Sequence, residues 1–338
     1  MSYTGKIIIL AFPDTFVTMS TEWICKVLPW VGLGTNEYIK AGHAALVLIE
    51  NSTGNAHYFD FGRYVTPVGH GRVRGANTDV EIRLPIKARF KENGTLGNLD
   101  EFLTWLHANP KKTHGSGRLL ASVCDAIDFE KASNFIYELQ ERGSIPYGAF
   151  CKDGSNCARF VTDTLISATD EKRIIKALKF NKKFTPSTVG NVEKGTLKNE
   201  IFEVSEGKIN TFTSSAFKEN LTNYFDKKNP ASNIVQIMKK EPPNHLQKLS
   251  GTGGSAYFEI TETPLPEHHV NIRRYNDLGE LDFDGVYVSE AFDPTQPYEF
   301  TYDSHCAFCH LIQNNKKLKL LCVGPLAEFN LTQKQRSA

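Results

Sequence analysis

The run Ile7–Phe12 constrains the fold most. It is continuously apolar and is cut off by Pro13-Asp14. Such a run is too short to cross a bilayer and too short for a signal-peptide core with a cleavage site. It reads as a buried strand over Lys6–Phe12. No other stretch is long and apolar enough to span, so no membrane span and a cytoplasmic location are expected. The chain has 338 residues, more than one compact core usually serves, and two domains are the natural prior. Hydrophobic residues at 40% and charged residues at 23% describe a folded, soluble chain rather than a disordered one. Thirty-nine basic residues against 38 acidic ones leave a net charge of +1. That balance offers no electrostatic case for a nucleic-acid partner. Seven cysteines, an odd number, fit reduced thiols better than a disulfide framework.

Helical and strand patterns alternate over roughly the first 190 residues. Ser20–Val31 reads as a helix capped by Ser20 or Thr21. Ala44–Glu50 reads as a strand, and Asn51-Ser52-Thr53-Gly54 turns it into a return strand over Ala56–Phe61. Val80–Pro85 and Arg118–Ile127 read as further strands. Asp128 is placed to cap a helix over Phe129–Arg142, which Gly143 stops, and Ser155 opens another helix through Ser167. Residues 196–255 form a mixed connecting region, with a hairpin at Ile201–Phe212 and a helix at Ser214–Phe225. Gly251-Thr252-Gly253-Gly254-Ser255 is linker-like. From Ala256 the pattern is strand-rich: Tyr257–Thr261, Val270–Tyr275, Val286–Ser289, Tyr298–Tyr302, Ala307–Gln313 and Leu318–Val323. The expected class is therefore α+β, with domains at 1–195 and 256–338, the second a small antiparallel β domain.

One segment carries chemistry. In Ile145–Leu165 the turn Asp153-Gly154-Ser155 precedes apolar residues Phe160, Val161 and Leu165 at helical spacing. Cys157 then falls in the first turn of a buried helix. Unpaired backbone N–H groups and the positive end of the helix dipole favour thiolate there, the nucleophilic form. The amide of Cys157 is one candidate oxyanion donor. A base is also required, and Gly42-His43-Ala44 sets a histidine at the mouth of an apolar strand. A third polar group would orient the imidazole. The next strand offers His57, or, on the opposite strand parity, Tyr58 and Asp60. Tyr147 and Asn156 are candidates to line the site or to serve as turn and cap residues.

A histidine opening a strand, a polar residue on the neighbouring strand, and then Asn-Cys-x-x-Phe-Val on a helix resemble the circularly permuted papain-like superfamily. That group includes permuted NlpC-type peptidases and relatives of lecithin retinol acyltransferase. In it the histidine precedes the cysteine, as His43 precedes Cys157 here. The resemblance covers roughly residues 1–190. It implies a permuted papain-like domain, with Cys157 as nucleophile, His43 as general base and His57 as the orienting group. It also implies a cysteine peptidase or amidase that acts on a peptide, amide or ester through an acyl-enzyme, without cofactor or metal. Acyltransferase members usually carry Glu-His directly after the cysteine, where this chain has Ala158-Arg159. That difference points to a peptide or amide bond. A non-enzymatic ligand- or partner-binding protein on the same frame is the competing reading, and acyl transfer to an amine or lipid a third.

Four other features weigh less. Cys151 is the rival nucleophile, in the loop before Ser155 and without helix support. Asp14 and Thr15 stand at a strand end. His305-Cys306-Ala307-Phe308-Cys309-His310 contains Cys-x-x-Cys-His, a haem-attachment or partial zinc pattern, but its alternation fits an ordinary strand. His268-His269 follows Pro264 and Pro266 and reads as an exposed loop.

Overall fold

The computed structural model describes residues 3–19, 22, 27–149, 151–183, 185–198, 200–227 and 245–336. The chain divides into two compact units. The first comprises Met1–Gly62, Val73–Ala76 and Ile82–Ile234, and the second comprises Arg63–Arg72, Asn77–Glu81 and Val235–Ala338.

Along the first part of the chain run β1 (Gly5–Phe12), β2 (Val17–Thr18), β3 (Tyr38–Ile39), β4 (His43–Glu50), β5 (Ala56–Gly62), β6 (His70–Arg74), α1 (Leu99–Ala108), α2 (Pro110–Thr113), β7 (Leu119–Ile127) and α3 (Phe129–Glu141). Then come β8 (Ile145–Pro146), α4 (Cys157–Ala168), α5 (Lys172–Asn181), α6 (Thr188–Lys194), β9 (Phe202–Ser205), β10 (Lys208–Thr211) and α7 (Ala216–Tyr224). Eight strands form one sheet in the order β10-β9-β7-β1-β4-β5-β6-β8, while β2 and β3 make a separate two-stranded ribbon.

The centre of this sheet explains its sequence. Strand β1 pairs antiparallel with β4 on one side and β7 on the other. Because side chains alternate along a strand, Ile7, Ile9, Ala44, Leu46 and Leu48 meet Phe160, Val161 and Leu165 of α4 on one face. Ile8, Leu10, Ala45, Val47 and Ile49 meet Phe102, Leu103 and Leu106 of α1 on the other. Helices cover both faces, so the central strands have no polar side, and an unbroken apolar run results.

Helix ends follow local chemistry. Asp128 caps α3 by accepting from the Lys131 amide at 3.1 Å. Ser215 caps α7 by accepting from the Lys218 amide at 3.3 Å. Three expectations change. Val80–Pro85 is no strand: Val80–Ile82 is a short 3₁₀ turn at the passage from one unit to the other, and Pro85 has no N–H to give a ladder. Of the helix expected at Ser20–Val31, half lies outside the described residues, and Leu28–Val31 is a 3₁₀ turn. The hairpin at Phe202–Thr211 is no connector either, because β9 pairs with β7 and extends the first unit's sheet.

In the second unit β11 (Gln247–Leu249), β12 (Ala256–Thr261), β13 (His269–Tyr275), β14 (Leu281–Val288), β15 (Glu299–His305), β16 (Phe308–Gln313) and β17 (Lys316–Pro325) precede α8 (Leu326–Arg336). The strands form an antiparallel sheet in the order β11-β12-β13-β14-β17-β16-β15. Its two edges nearly close. The Phe300 amide donates to Gln247 Oε1 at 2.7 Å, and Gln247 Nε2 donates to the Tyr298 carbonyl at 3.4 Å. Inside lie Phe258 and Phe300, stacked 5.1 Å apart, with Ile272, Leu311 and Leu320. Gly251–Ser255 is built into this unit rather than free, since the Val65 amide donates to the Gly254 carbonyl at 3.0 Å.

Candidate active site

Cys157 is the first residue of α4. Asn156 is the cap, and its Oδ1 accepts from the Arg159 amide at 2.9 Å. Arg159 then reaches back to the preceding loop, where Nη1 donates to the carbonyls of Cys151 at 2.6 Å and Gly154 at 3.0 Å. The loop is also tied at its base, where the Ser155 amide donates to the Pro146 carbonyl at 3.0 Å. Asn191 of α6 donates from Nδ2 to the Ala158 carbonyl at 2.7 Å, which fixes the first turn from the far side. The thiol is thus held at a helix N-terminus by partners from several elements.

His43 opens β4 opposite Phe12, and its ring stacks on that phenylalanine at 6.3 Å and 24°. The approach to it needs Gly42, whose φ of +76° disfavours a side chain; a Cβ there would also sit 2.9 Å from Thr188 Oγ1 and 3.0 Å from the Phe12 carbonyl. The His43 ring is within side-chain hydrogen-bond reach of Cys157. Its Nε2 lies 3.4 Å from Asp60 Oδ2. With Nε2 turned to the carboxylate, Nδ1 is the nitrogen left for the thiol.

The third residue differs from the one the sequence resemblance implied. Register decides it: β4 and β5 pair Ala45 with Asp60 and Val47 with Tyr58, whereas His57 pairs with Leu48. Cross-strand partners point to the same face. Tyr58 and Asp60 therefore share the face of His43, Ala45 and Val47, and His57 points to the other, half-buried beside Phe59. Asp60, not His57, stands next to His43.

Asp60 has no exposure to solvent and is heavily supported. Arg74 grips it with Nε to Oδ1 at 2.9 Å and Nη2 to Oδ2 at 2.6 Å. Tyr58 donates its hydroxyl to Oδ2 at 3.0 Å. Burial alone would raise the carboxyl pKa, but the Arg74 charge and the hydrogen bonds from His43 and Arg74 outweigh it and hold Asp60 ionised far below the usual range. The same competition operates at His43. Burial pulls it down, yet Asp60 and Cys157 bring it up to about 9. At Cys157 burial pushes the thiol up, while His43 and the amides of Ala44 and Ala158 draw it below its ordinary value. Both shifts favour thiolate beside imidazolium.

The thiol opens onto a cavity of about 220 Å³, whose lining includes Val17, Leu33, Ile39, Tyr147, Cys157 and Tyr224. Tyr147 stacks on Phe61 at 5.9 Å. Tyr224 of α7 is raised in pKa by burial and then by the Cys157 charge. Sequence reasoning passed over Arg74 and Tyr224. Arg74 is a strand arginine whose burial only the sheet reveals, and Tyr224 reaches the thiol from 67 positions away in a helix with no motif.

The remaining candidates fall elsewhere. Cys151 is half-buried in the loop whose carbonyls Arg159 holds. Asp14 pairs with Arg118, which donates from Nε at 3.0 Å, and with Lys40 at 3.3 Å, while Thr15 Oγ1 accepts from the Ser116 amide at 2.9 Å. Both tie loops together. Cys306 and Cys309 are core residues of the second unit, where burial pushes the Cys306 thiol up to about 12 and Cys309 higher still. His305 is buried there too, and burial holds its imidazole well below the ordinary value. His268 is exposed in a left-handed turn with φ of 62°.

Two separate stretches of the chain are similar to known families. Residues 7–174, just under half of it, match the family described as Type VI secretion system effector TseH-like. Residues 246–323 match the DUF6695 C-terminal domain. A crystal structure of the Type VI secretion system effector TseH is similar at 19% identity and a TM-score of 0.42, over 63% of this chain and 100% of that one. No curated protein matches. The stretch 7–174, which holds His43, Asp60 and Cys157, is the part similar to that effector family. No described helix is long and apolar enough to cross a membrane.

Proposed function

We propose that this chain is a cysteine hydrolase that cleaves a peptide, amide or ester bond through an acyl-enzyme on Cys157. The observation that carries the reading is the position of His43, with Asp60 3.4 Å from Nε2 and Cys157 within hydrogen-bond reach of the same ring. In the reaction His43 takes the thiol proton, and Asp60 steadies the imidazolium that forms. The thiolate attacks the carbonyl carbon. Negative charge develops on the carbonyl oxygen, for which the Cys157 amide at the helix start is a donor. His43 returns its proton to the leaving group, and the Cys157 thioester is then hydrolysed by a water that His43 deprotonates, which releases the acid and restores the imidazolium–thiolate pair.

Arg74 and Tyr58 are positioning residues in this scheme: they keep Asp60 charged and aimed. The chain order, His43 on β4, Asp60 on β5 and Cys157 opening a later helix, supports the permuted form of a papain-like arrangement. The similarity of residues 7–174 to secretion effectors supports a hydrolase that acts as an effector.

The test is iodoacetamide labelling against pH, read by peptide mass mapping, for the wild type and His43→Ala. Cys157 is expected to label faster than Cys151, with an apparent pKa well below the free-thiol value of about 8.5, and His43→Ala is expected to remove the advantage. An unreactive Cys157, indifferent to His43, would leave a binding protein on a hydrolase-like frame.

A further inference from the structure

If Cys157 is the nucleophile of a hydrolase, as proposed above, the cavity beside it bears on which bond the site takes. Its volume is about 220 Å³. Among the described residues that line it there is no lysine, arginine, aspartate, glutamate or histidine. The walls are side chains such as Val17, Met19, Leu28, Leu33 and Ile39, and the polar groups among them are hydroxyls and the Asn156 amide. A charged group entering such a space gives up its hydration and, beyond the His43–Cys157 pair, which is neutral as a whole, meets no opposite charge among the described residues that line it, which costs several kcal/mol. A neutral amide loses far less, because hydroxyls can meet it.

Apolar surface continues beyond the cavity. Leu28 lies in the 3₁₀ turn Leu28–Val31, and two residues further Trp30 is 89% exposed. Next to Tyr224, Phe225 is 51% exposed, and its ring lies 3.3 Å from where a Cβ on Gly32 would sit. The turn and the end of α7 therefore adjoin, and each contributes a residue to the cavity and apolar side chains to the exposed surface.

We propose that the site selects uncharged acyl donors carrying a branched-aliphatic or aromatic side group next to the bond cleaved, and rejects those with a carboxylate or ammonium at that position. The side group fills the apolar cavity, and a neutral amide on the donor meets the hydroxyl-bearing rim. The covalent step is the one already described: the Cys157 sulfur bonds to the acyl carbon, the leaving group departs with the proton from His43, and water completes the cycle.

The test uses the full chain and four 4-nitrophenyl esters that share one leaving group, those of N-acetyl-leucine, N-acetyl-phenylalanine, N-acetyl-aspartate and N-acetyl-lysine. Acylation is read as the nitrophenolate burst and as mass added to Cys157, with Cys157→Ala as the background. The leucine and phenylalanine esters are expected to acylate roughly 30- to 100-fold faster than the aspartate ester, the range a well-matched apolar pocket provides. Leu33→Lys is expected to narrow that ratio by about tenfold or more, chiefly by speeding the aspartate ester. Iodoacetamide labelling of Cys157 in the same variant shows whether the dyad has survived the change. If it has not, the ratio of the four esters on the wild type decides alone. Equal rates for all four esters, or faster acylation by a charged one, overturn the selectivity while the hydrolase reading stands. Failure of every ester to acylate Cys157 overturns both.

Discussion

At the scale of single residues, Asp60 is the most demanding group in the site. A carboxylate with no solvent exposure survives as an anion only if its charge is answered on the spot. Arg74 answers it with two hydrogen bonds, and His43 with a third. Asn in place of Asp60 keeps the shape and removes the charge. His43 then loses a source of its raised pKa, and the thiolate loses the imidazolium beside it. For Asp60→Asn the alkylation of Cys157 at pH 7 is expected to slow by about 10- to 100-fold, with its midpoint moving up toward the free-thiol value of about 8.5. His57→Asn, on the opposite face of β5, is expected to leave that midpoint within about 0.3 units, because no charge near the thiol changes. Stopped-flow labelling of the two variants side by side checks both statements, and a shift of equal size in both would remove Asp60 from the proposed mechanism.

At the scale of elements, α4 is where local sequence and chemistry coincide. The cap that starts the helix also sets the thiol in its first turn. Asn156→Ala removes the acceptor for the Arg159 amide and the donor to the Gly148 carbonyl. Loss of an asparagine cap costs about 1 kcal/mol. A lower Tm is expected, together with slower Cys157 alkylation, since a frayed first turn no longer aims the Ala158 amide at the sulfur. Asn156→Asp retains an acceptor for the Arg159 amide and is expected to recover most of the Tm but not the alkylation rate, because a carboxylate near the thiol opposes thiolate. Thermal melts and labelling rates of the two variants separate capping from electrostatics.

At the scale of the whole chain, the second unit depends on buried charge drawn from distant sequence. Arg72 meets Asp79 through two contacts of 2.7 Å, and Arg274 meets Asp79 at 3.2 Å. Asp282 lies 3.7 Å from Arg274, but burial, with Glu81 and Asp79 nearby, overrides that attraction and raises its carboxyl from 3.8 to about 7. A carboxyl raised in the folded state favours folding where it is protonated, and that advantage is lost as pH climbs from about 4 through about 7. Asp282→Asn holds the group neutral at every pH. The variant is therefore expected to gain on the wild type as pH rises across that window, by about 2–4 kcal/mol at pH 8, taking about 1.4 kcal/mol per pKa unit. Hydrogen exchange at the amides of β13 and β14 reads this unit directly. A gap that does not change between pH 4 and pH 8 would refute the assignment.

Sequence alone determined what is local. Apolar alternation and runs marked β1, β4, β5 and β7 and most strands of the second unit, because burial on one or both faces writes itself into consecutive side chains. Capping chemistry marked α3 and the start of α4, and with it Cys157. The pairing of Cys157 with His43 was legible as a motif with an order, not as a distance. What only the tertiary structure decided is whatever depends on register and on long-range pairing. One residue of strand parity separates His57 from Asp60, and nothing in either side chain reports which way the pleat turns until β4 and β5 are paired. Arg74 and Tyr224 reach the site from elements without a local signal, and β9 joins the first sheet across 75 residues from β7. The same holds for the division of the chain: segments 63–72 and 77–81 belong to the second unit because their partners, Gly254, Arg274 and Cys306 among them, are distant in sequence and near only once folded.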